Sequence, residues 1–261
     1  MDLDHWGAFA GLDPAAWTSL AATAHDPASR TQARDAFLSG VKPDCDPATA
    51  ALAAVDALPT MRERHRARGV AESVSRATAA DLGLWIREHH RRHGAWGLSE
   101  TGWLRFHLAG RLFRLGRLQF MPAACNLPLR PGDPLRSGDP VLEVHIPAGE
   151  PLAPDTCLAA FAAAAAFPWD APWVGFTCAS WLLAPRLPEV LPPGSNVLAF
   201  QRLFSPLPCT MDDRQTIERV FGAWPLDPAT APRTTSMQRA ILACYARGGR
   251  LDGGAGFRPR H

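Results

Sequence analysis

Alternation of apolar and polar residues, the mark of a half-buried strand, is missing from the first hundred residues of this sequence and appears only beyond them. That asymmetry limits the chain to two kinds of structure in series. Helices are expected near 13–23, 29–39, 47–57, 59–68 and 77–93, joined by polar, proline-marked turns. The last is the clearest. Leu82, Trp85, Ile86 and His89 recur at helical spacing, Gly94 supplies a stop, and Arg87 to His93 collect positive charge where the helix dipole favours it.

After Ser99 a short helix around Trp103–Leu108 leads to an extended segment, Phe113 to Met121. A loop rich in Pro, Gly and Asp then delivers the chain into Val141-Leu142-Glu143-Val144-His145-Ile146, the cleanest strand signal, which Pro147 ends. A helix opening near Pro154 and Asp155, a strand at Trp173 to Cys178 and a short helix from Ser180 follow. Beyond the turn Pro192-Pro193-Gly194 a strand is expected at Asn196 to Phe204. Helices from Asp212 to Phe221 and from the capping box Thr235-x-x-Gln238 precede a glycine-rich tail, Gly253 to Phe257. The pattern reads as α+β: a helical domain over 1–98 and a mixed-sheet domain over 99–261.

Composition excludes several classes. With 47% hydrophobic and 20% charged residues the chain is neither disordered nor collagenous. Its longest uncharged apolar run, Leu158 to Phe167, stops at Pro168, far short of the ~20 residues that cross a bilayer. Asp2, Asp4, His5 and Trp6 do not read as a secretory signal, so a cytoplasmic location and no membrane partner are expected. The net charge is +2, and Lys42 is the only lysine. An arginine bias of that kind makes arginine patches weak markers of nucleic acid. Cys45, Cys125, Cys157, Cys178, Cys209 and Cys244 have neither zinc-ribbon nor disulfide-framework spacing and are expected free.

Several ordered segments carry a resemblance. They are Trp103-Leu104-Arg105, Gly110 to Phe120, Val144-His145-Ile146-Pro147, Cys178-x-Ser180-Trp181-Leu182-Leu183, Ser195-Asn196 and Phe200-Gln201. Over residues 100–257 the chain resembles bacterial acyltransferase-domain proteins, which pair a helical N-terminal domain with a GNAT-like (acyl-CoA N-acyltransferase-like) C-terminal domain. The resemblance implies a mixed sheet flanked by helices and an acyl-CoA or coenzyme A co-substrate. It also implies transfer of an acyl group from a thioester to an amine or hydroxyl of a small-molecule acceptor. Acyl carrier protein and aminoacyl-tRNA remain alternative donors. Two departures stand out. The family's Cys-His-Ser-Trp is Cys178-Ala179-Ser180-Trp181 here, and the usual pyrophosphate signature is not evident, Arg114-Leu115-Gly116-Arg117 being only its nearest, weak match.

The strand period puts Glu143 and His145 on one face, opposite Leu142, Val144 and Ile146. An imidazole there suits a general base, with the carboxylate orienting it; the same pair could also simply face solvent. The loop after the strand, with Gly149, could offer backbone N–H groups to a pyrophosphate, while Asp155 caps the helix that follows. Cys178 is either a nucleophile paired with His145 or a core residue, and Ser180 lies beside it. Trp181, Asn196 and Gln201 could line or hydrogen-bond a pantetheine arm, or else pack and cap. Tyr245, the only tyrosine, either protonates the leaving thiolate, as tyrosines in GNAT enzymes often do, or fills a half-buried helix face.

His89 and His93 have the spacing of two metal ligands, but no third ligand accompanies them and Arg91 and Arg92 oppose a cation, so no metal is expected. With Arg62, Arg64, His65, Arg66 and Arg68 they form either a phosphate-binding patch or a solvated helix face. Two other functions fit the residues: a non-catalytic ligand sensor on the same fold, and a thioester hydrolase working through Cys178.

Overall fold

A computed structural model describes residues 3–23 and 25–260, without the side chains of Leu3, Cys209 and Thr210. Asp2, read above as part of the N-terminus, and the Cys209 thiol lie outside the described residues. The chain divides into two compact units: Met1–Leu115 with Gln119–Met121, and Gly116–Leu118 with Pro122–His261. The division falls later than residue 98.

The first unit is helical: α1 (Leu3–Phe9), α2 (Pro14–Ala21), α3 (Pro27–Leu38), α4 (Pro47–Ala67), α5 (Glu72–His93) and α6 (Thr101–Leu108). Three of these open on the same device. Asp13, Asp26 and Asp46 each sit in extended backbone, accept a hydrogen bond from an N–H of the first turn, and are followed by proline at the first helical position. Asp46 accepts from both Ala48 and Thr49 and from the Thr49 hydroxyl.

The helices expected at 47–57 and 59–68 are one, α4, with Pro59 inside it. Proline there removes a backbone hydrogen bond, but Ala50 to Val55, Ala57 and Leu58 are buried almost completely, and packing around the helix keeps it continuous. Close approach also fixes Gly83 of α5. Its N–H donates to the Ala10 carbonyl at 3.1 Å, and a Cβ would lie 2.2 Å from that oxygen.

The strands are β1 (Phe113–Leu115), β2 (Leu118–Ala124), β3 (Pro140–His145), β4 (Gly175–Ser180), β5 (Ser205–Thr210) and β6 (Gly254–Pro259), in the sheet order β1-β2-β3-β4-β6-β5. β3 and β4 are parallel, whereas β4–β6 and β5–β6 are antiparallel, so the sheet is mixed as expected. α7 (Pro154–Ala166) makes the crossover between the parallel pair. A 3₁₀ turn (Trp181–Leu183) follows β4, and α8 (Leu187–Val190), α9 (Asn196–Gln201), α10 (Arg214–Phe221) and α11 (Ser236–Ala246) complete the unit. No helix among the described residues is long and apolar enough to cross a membrane.

Three expectations are corrected here. Asn196 to Gln201 form a helix, because Ser195 accepts a hydrogen bond from the Val197 N–H and starts a turn; the strand begins only at Ser205. The glycine-rich tail is a strand between β4 and β5. Its composition follows from crowding, since a Cβ on Gly254 would lie 2.2 Å from the Leu183 carbonyl oxygen. Asp155 does not cap α7: the cap position is Ala153 and no side chain bonds there.

Register sorts the two sheet faces. Glu143 pairs with Thr177, Thr177 with Phe257, and Ala179 with Ala255. Phe257 and Ala255 join Cys125, Leu135, Val141 and Leu207 in one apolar cluster. On the other face Phe176 meets Phe161 of α7 edge-on at 4.8 Å, and Phe161 meets Phe204 at 5.8 Å.

Candidate active site

Pairing of the parallel strands runs through Leu142↔Phe176 and Glu143↔Thr177. Immediately past it lies a cavity of about 100 Å³. β3 contributes Glu143 and His145 to its wall, β4 contributes Thr177 and Ala179, and the segment leaving β2 contributes Cys125, Asn126 and Leu127. That segment is held in place by paired backbone hydrogen bonds, Cys125 N–H to Asp139 at 2.8 Å and Gly138 N–H to Cys125 at 2.8 Å.

His145 Nε2 lies 3.6 Å from Glu143 Oε2, and both side chains are about a quarter exposed. The two are on the face their spacing requires. An imidazole beside a carboxylate at a partly solvated mouth can take a proton from an incoming group and keep contact with solvent. Thr177, directly across from Glu143, brings a buried hydroxyl to the same wall. Sequence reading missed Thr177, Cys125, Asn126 and Leu127, because only the register and the loop's return path bring them there.

Cys178 is not brought to His145. Since Glu143 is in register with Thr177, the face shared with His145 carries Thr177 and Ala179, and Cys178 points to the opposite side. It is 1% exposed, and burial, with the Glu143 charge adding, pushes its thiol up to about 12. A thiol so held is neither ionised nor accessible, which removes the basis for a Cys178–His145 dyad and for the hydrolase built on it.

Tyr245 is also committed elsewhere. Its hydroxyl donates to Asp213, which is almost fully buried and also accepts from Arg250 at 2.9 and 3.1 Å. Burial and the Asp213 bond hold the phenol proton far more firmly than usual. Burial acts to raise the Asp213 carboxyl, but hydrogen bonds from Arg250 and Tyr245 outweigh it and leave it below the ordinary carboxylate range. This trio fastens α10 to α11.

The other expected residues are not among those that line the cavity. Ser180 is buried and its hydroxyl accepts from Leu182 N–H at 3.2 Å, so it caps the 3₁₀ turn. Trp181 is half-buried, and its backbone N–H donates to Gln215 Oε1 at 2.8 Å. Asn196 is exposed at the first turn of α9, and Gln201 donates to the Ala184 carbonyl at 2.8 Å. Gly149 stands exposed in the loop between β3 and α7 with φ +109°, a conformation that favours glycine. Among the described residues no group of three His, Cys, Asp or Glu side chains is placed to hold a metal; the His89 and His93 rings lie 4.5 Å apart and tilted by 42°, and His89 also meets the Ser99 hydroxyl.

Comparison with known proteins bears on the fold and the class. A GNAT-like C-terminal domain family matches residues 112–258, and an N-acyltransferase N-terminal domain family matches residues 6–110. An acyltransferase solved with decanoyl-CoA and teicoplanin superposes with a TM-score of 0.84 at 24% identity, over 98% of this chain and 87% of that one. Another, solved with CoA and 10C-teicoplanin, gives 0.79 at 23% identity over the whole of both chains. No curated protein sequence matches.

Proposed function

The chain belongs to the family defined by the GNAT-like C-terminal domain and carries the N-acyltransferase N-terminal domain before it; from that premise we propose that it transfers an acyl group from acyl-CoA to an amine or hydroxyl of a small molecule. One observation carries the reading: Glu143 and His145 face a cavity just where the parallel strands cease to pair. We assign the chemistry to the region after residue 98.

His145 accepts the proton of the acceptor's amine or hydroxyl as that group attacks the thioester carbonyl. The C–S bond then breaks, the thiolate takes a proton, and the products are an amide or ester and free coenzyme A. Glu143 orients the imidazole and offsets its developing charge. Direct transfer needs no enzyme nucleophile, in keeping with the burial of Cys178. Acyl-CoA, rather than acyl carrier protein or tRNA, is the donor we propose, because solved acyltransferases of this fold hold decanoyl-CoA and CoA. Their teicoplanin ligands support a small-molecule acceptor of some size.

The test is a thermal-shift titration with coenzyme A, acetyl-CoA and longer acyl-CoAs, followed by thiol release with a panel of amines and alcohols. Saturable stabilisation and His145-dependent thiol release support the proposal. No stabilisation by any of these donors overturns it.

A further inference from the structure

We propose that Arg117 is a positioning residue for the donor: it shapes the loop between β3 and α7 so that this loop meets the diphosphate of acyl-CoA with N–H groups rather than carbonyls. The proposal rests on the acyl-CoA reading given above.

Arg117 stands in the turn between β1 and β2 and is only 5% exposed. Its guanidinium donates from Nη1 to the Pro147 carbonyl at 2.9 Å, from Nη2 to Glu150 at 2.6 Å and from Nε to Pro151 at 3.1 Å. Burying a permanent cation is costly, so a sequence keeps one where its fixed fork of donors does something a neutral residue cannot. Here the fork gathers three carbonyls from one five-residue stretch that begins two residues after His145.

Peptide geometry gives the consequence. In a trans peptide the carbonyl of one residue and the N–H of the next point in opposite directions. With Pro147 and Pro151 turned onto the guanidinium, the N–H groups of Ala148 and Leu152 point away from it. The peptide after Glu150 offers no N–H, since Pro151 follows. Three partial negative charges are thus withdrawn from the loop surface, and the cation beneath adds positive potential, which also opposes the burial-driven rise at the Cys157 thiol of α7. Gly149, at φ +109°, permits the bend between the anchors. The carboxylates of Glu150 and Asp155 are exposed in the same region and oppose an anion, so inward-turned carbonyls matter all the more.

Two donors separate positioning from general support: an acyl-CoA and the same acyl group on pantetheine, which lacks the diphosphate. In Arg117→Met the KM for acyl-CoA should rise roughly tenfold to a hundredfold, and that for acyl-pantetheine should stay within about twofold. Arg117→Lys, one ammonium in place of a fork, should fall between Arg117→Met and the parent. Equal losses on both donors, or none on either, overturn the proposal. A second measurement needs no variant: coenzyme A should slow hydrogen exchange at Ala148 and Leu152 of the parent protein, and pantetheine should not. Unchanged exchange overturns the role of Arg117 even if both variants fail to fold. A parent protein that uses neither donor overturns the acyl-CoA reading instead.

Discussion

Glu143 and His145 stand two residues apart on one face of β3, with Oε2 and Nε2 3.6 Å from each other at the mouth of a cavity. Loss of the base should cost more than loss of its orienting partner. His145→Ala is expected to lower kcat by roughly 100- to 10,000-fold with little change in acyl-CoA binding. Glu143→Gln should lower it less. Thiol release measured beside a donor titration checks both, and a His145→Ala enzyme with parental kcat removes His145 from the mechanism.

Cys178 gives the opposite expectation. Because it faces away from His145 and its thiol is pushed up to about 12, Cys178→Ala should keep transfer within about twofold while costing about 1–2 kcal/mol of stability for the lost packing. Iodoacetamide at pH 8 should leave Cys178 unlabelled in the folded protein, as peptide mass spectrometry would report. Loss of turnover in a well-folded Cys178→Ala would restore a covalent route.

These two residues show what the sequence could and could not reveal. Glu143 and His145 share a face because of a period local to one strand, and five residues suffice to read it. The relation of Cys178 to His145 depends on the register between β3 and β4, which is fixed by packing across α7 and leaves no local mark. Arg117 was hidden for a similar reason, as its acceptors are backbone carbonyls thirty or more residues away. In α9 the buried Leu198 and Phe200 alternate as a strand would, so Ser195 was the better guide. The Asp-Pro pairs before α2, α3 and α4 mark those helix starts, and reading them would have moved the expected start at 29 back to Pro27.

Tyr245 tests the leaving-group role directly. Its hydroxyl is held by Asp213, so Tyr245→Phe should leave kcat within about twofold and cost about 1–2 kcal/mol, the buried carboxylate having lost one of its donors. Chemical denaturation beside the transfer assay reads both. A large fall in kcat with unchanged stability would make the phenol the acid after all.

His65 sets a pH dependence of folding. It is fully buried in the first unit, with Nδ1 at 3.0 Å from the Ser75 hydroxyl, its ring against Phe113 at 4.9 Å and Nε2 without a hydrogen-bond partner. Burial, with Arg68 adding repulsion, lowers its pKa from 6.5 to about 4. The unfolded chain therefore binds a proton between those values while the folded one does not. Stability from this group is complete above pH 6.5 and falls as the pH drops toward 4, by about 3 kcal/mol in all. Urea unfolding at pH 7.5, 6.0 and 5.0 should show that decline, and His65→Gln should flatten it, since the amide fills the site without titrating. A decline of the same slope in His65→Gln would assign the acid sensitivity to other groups.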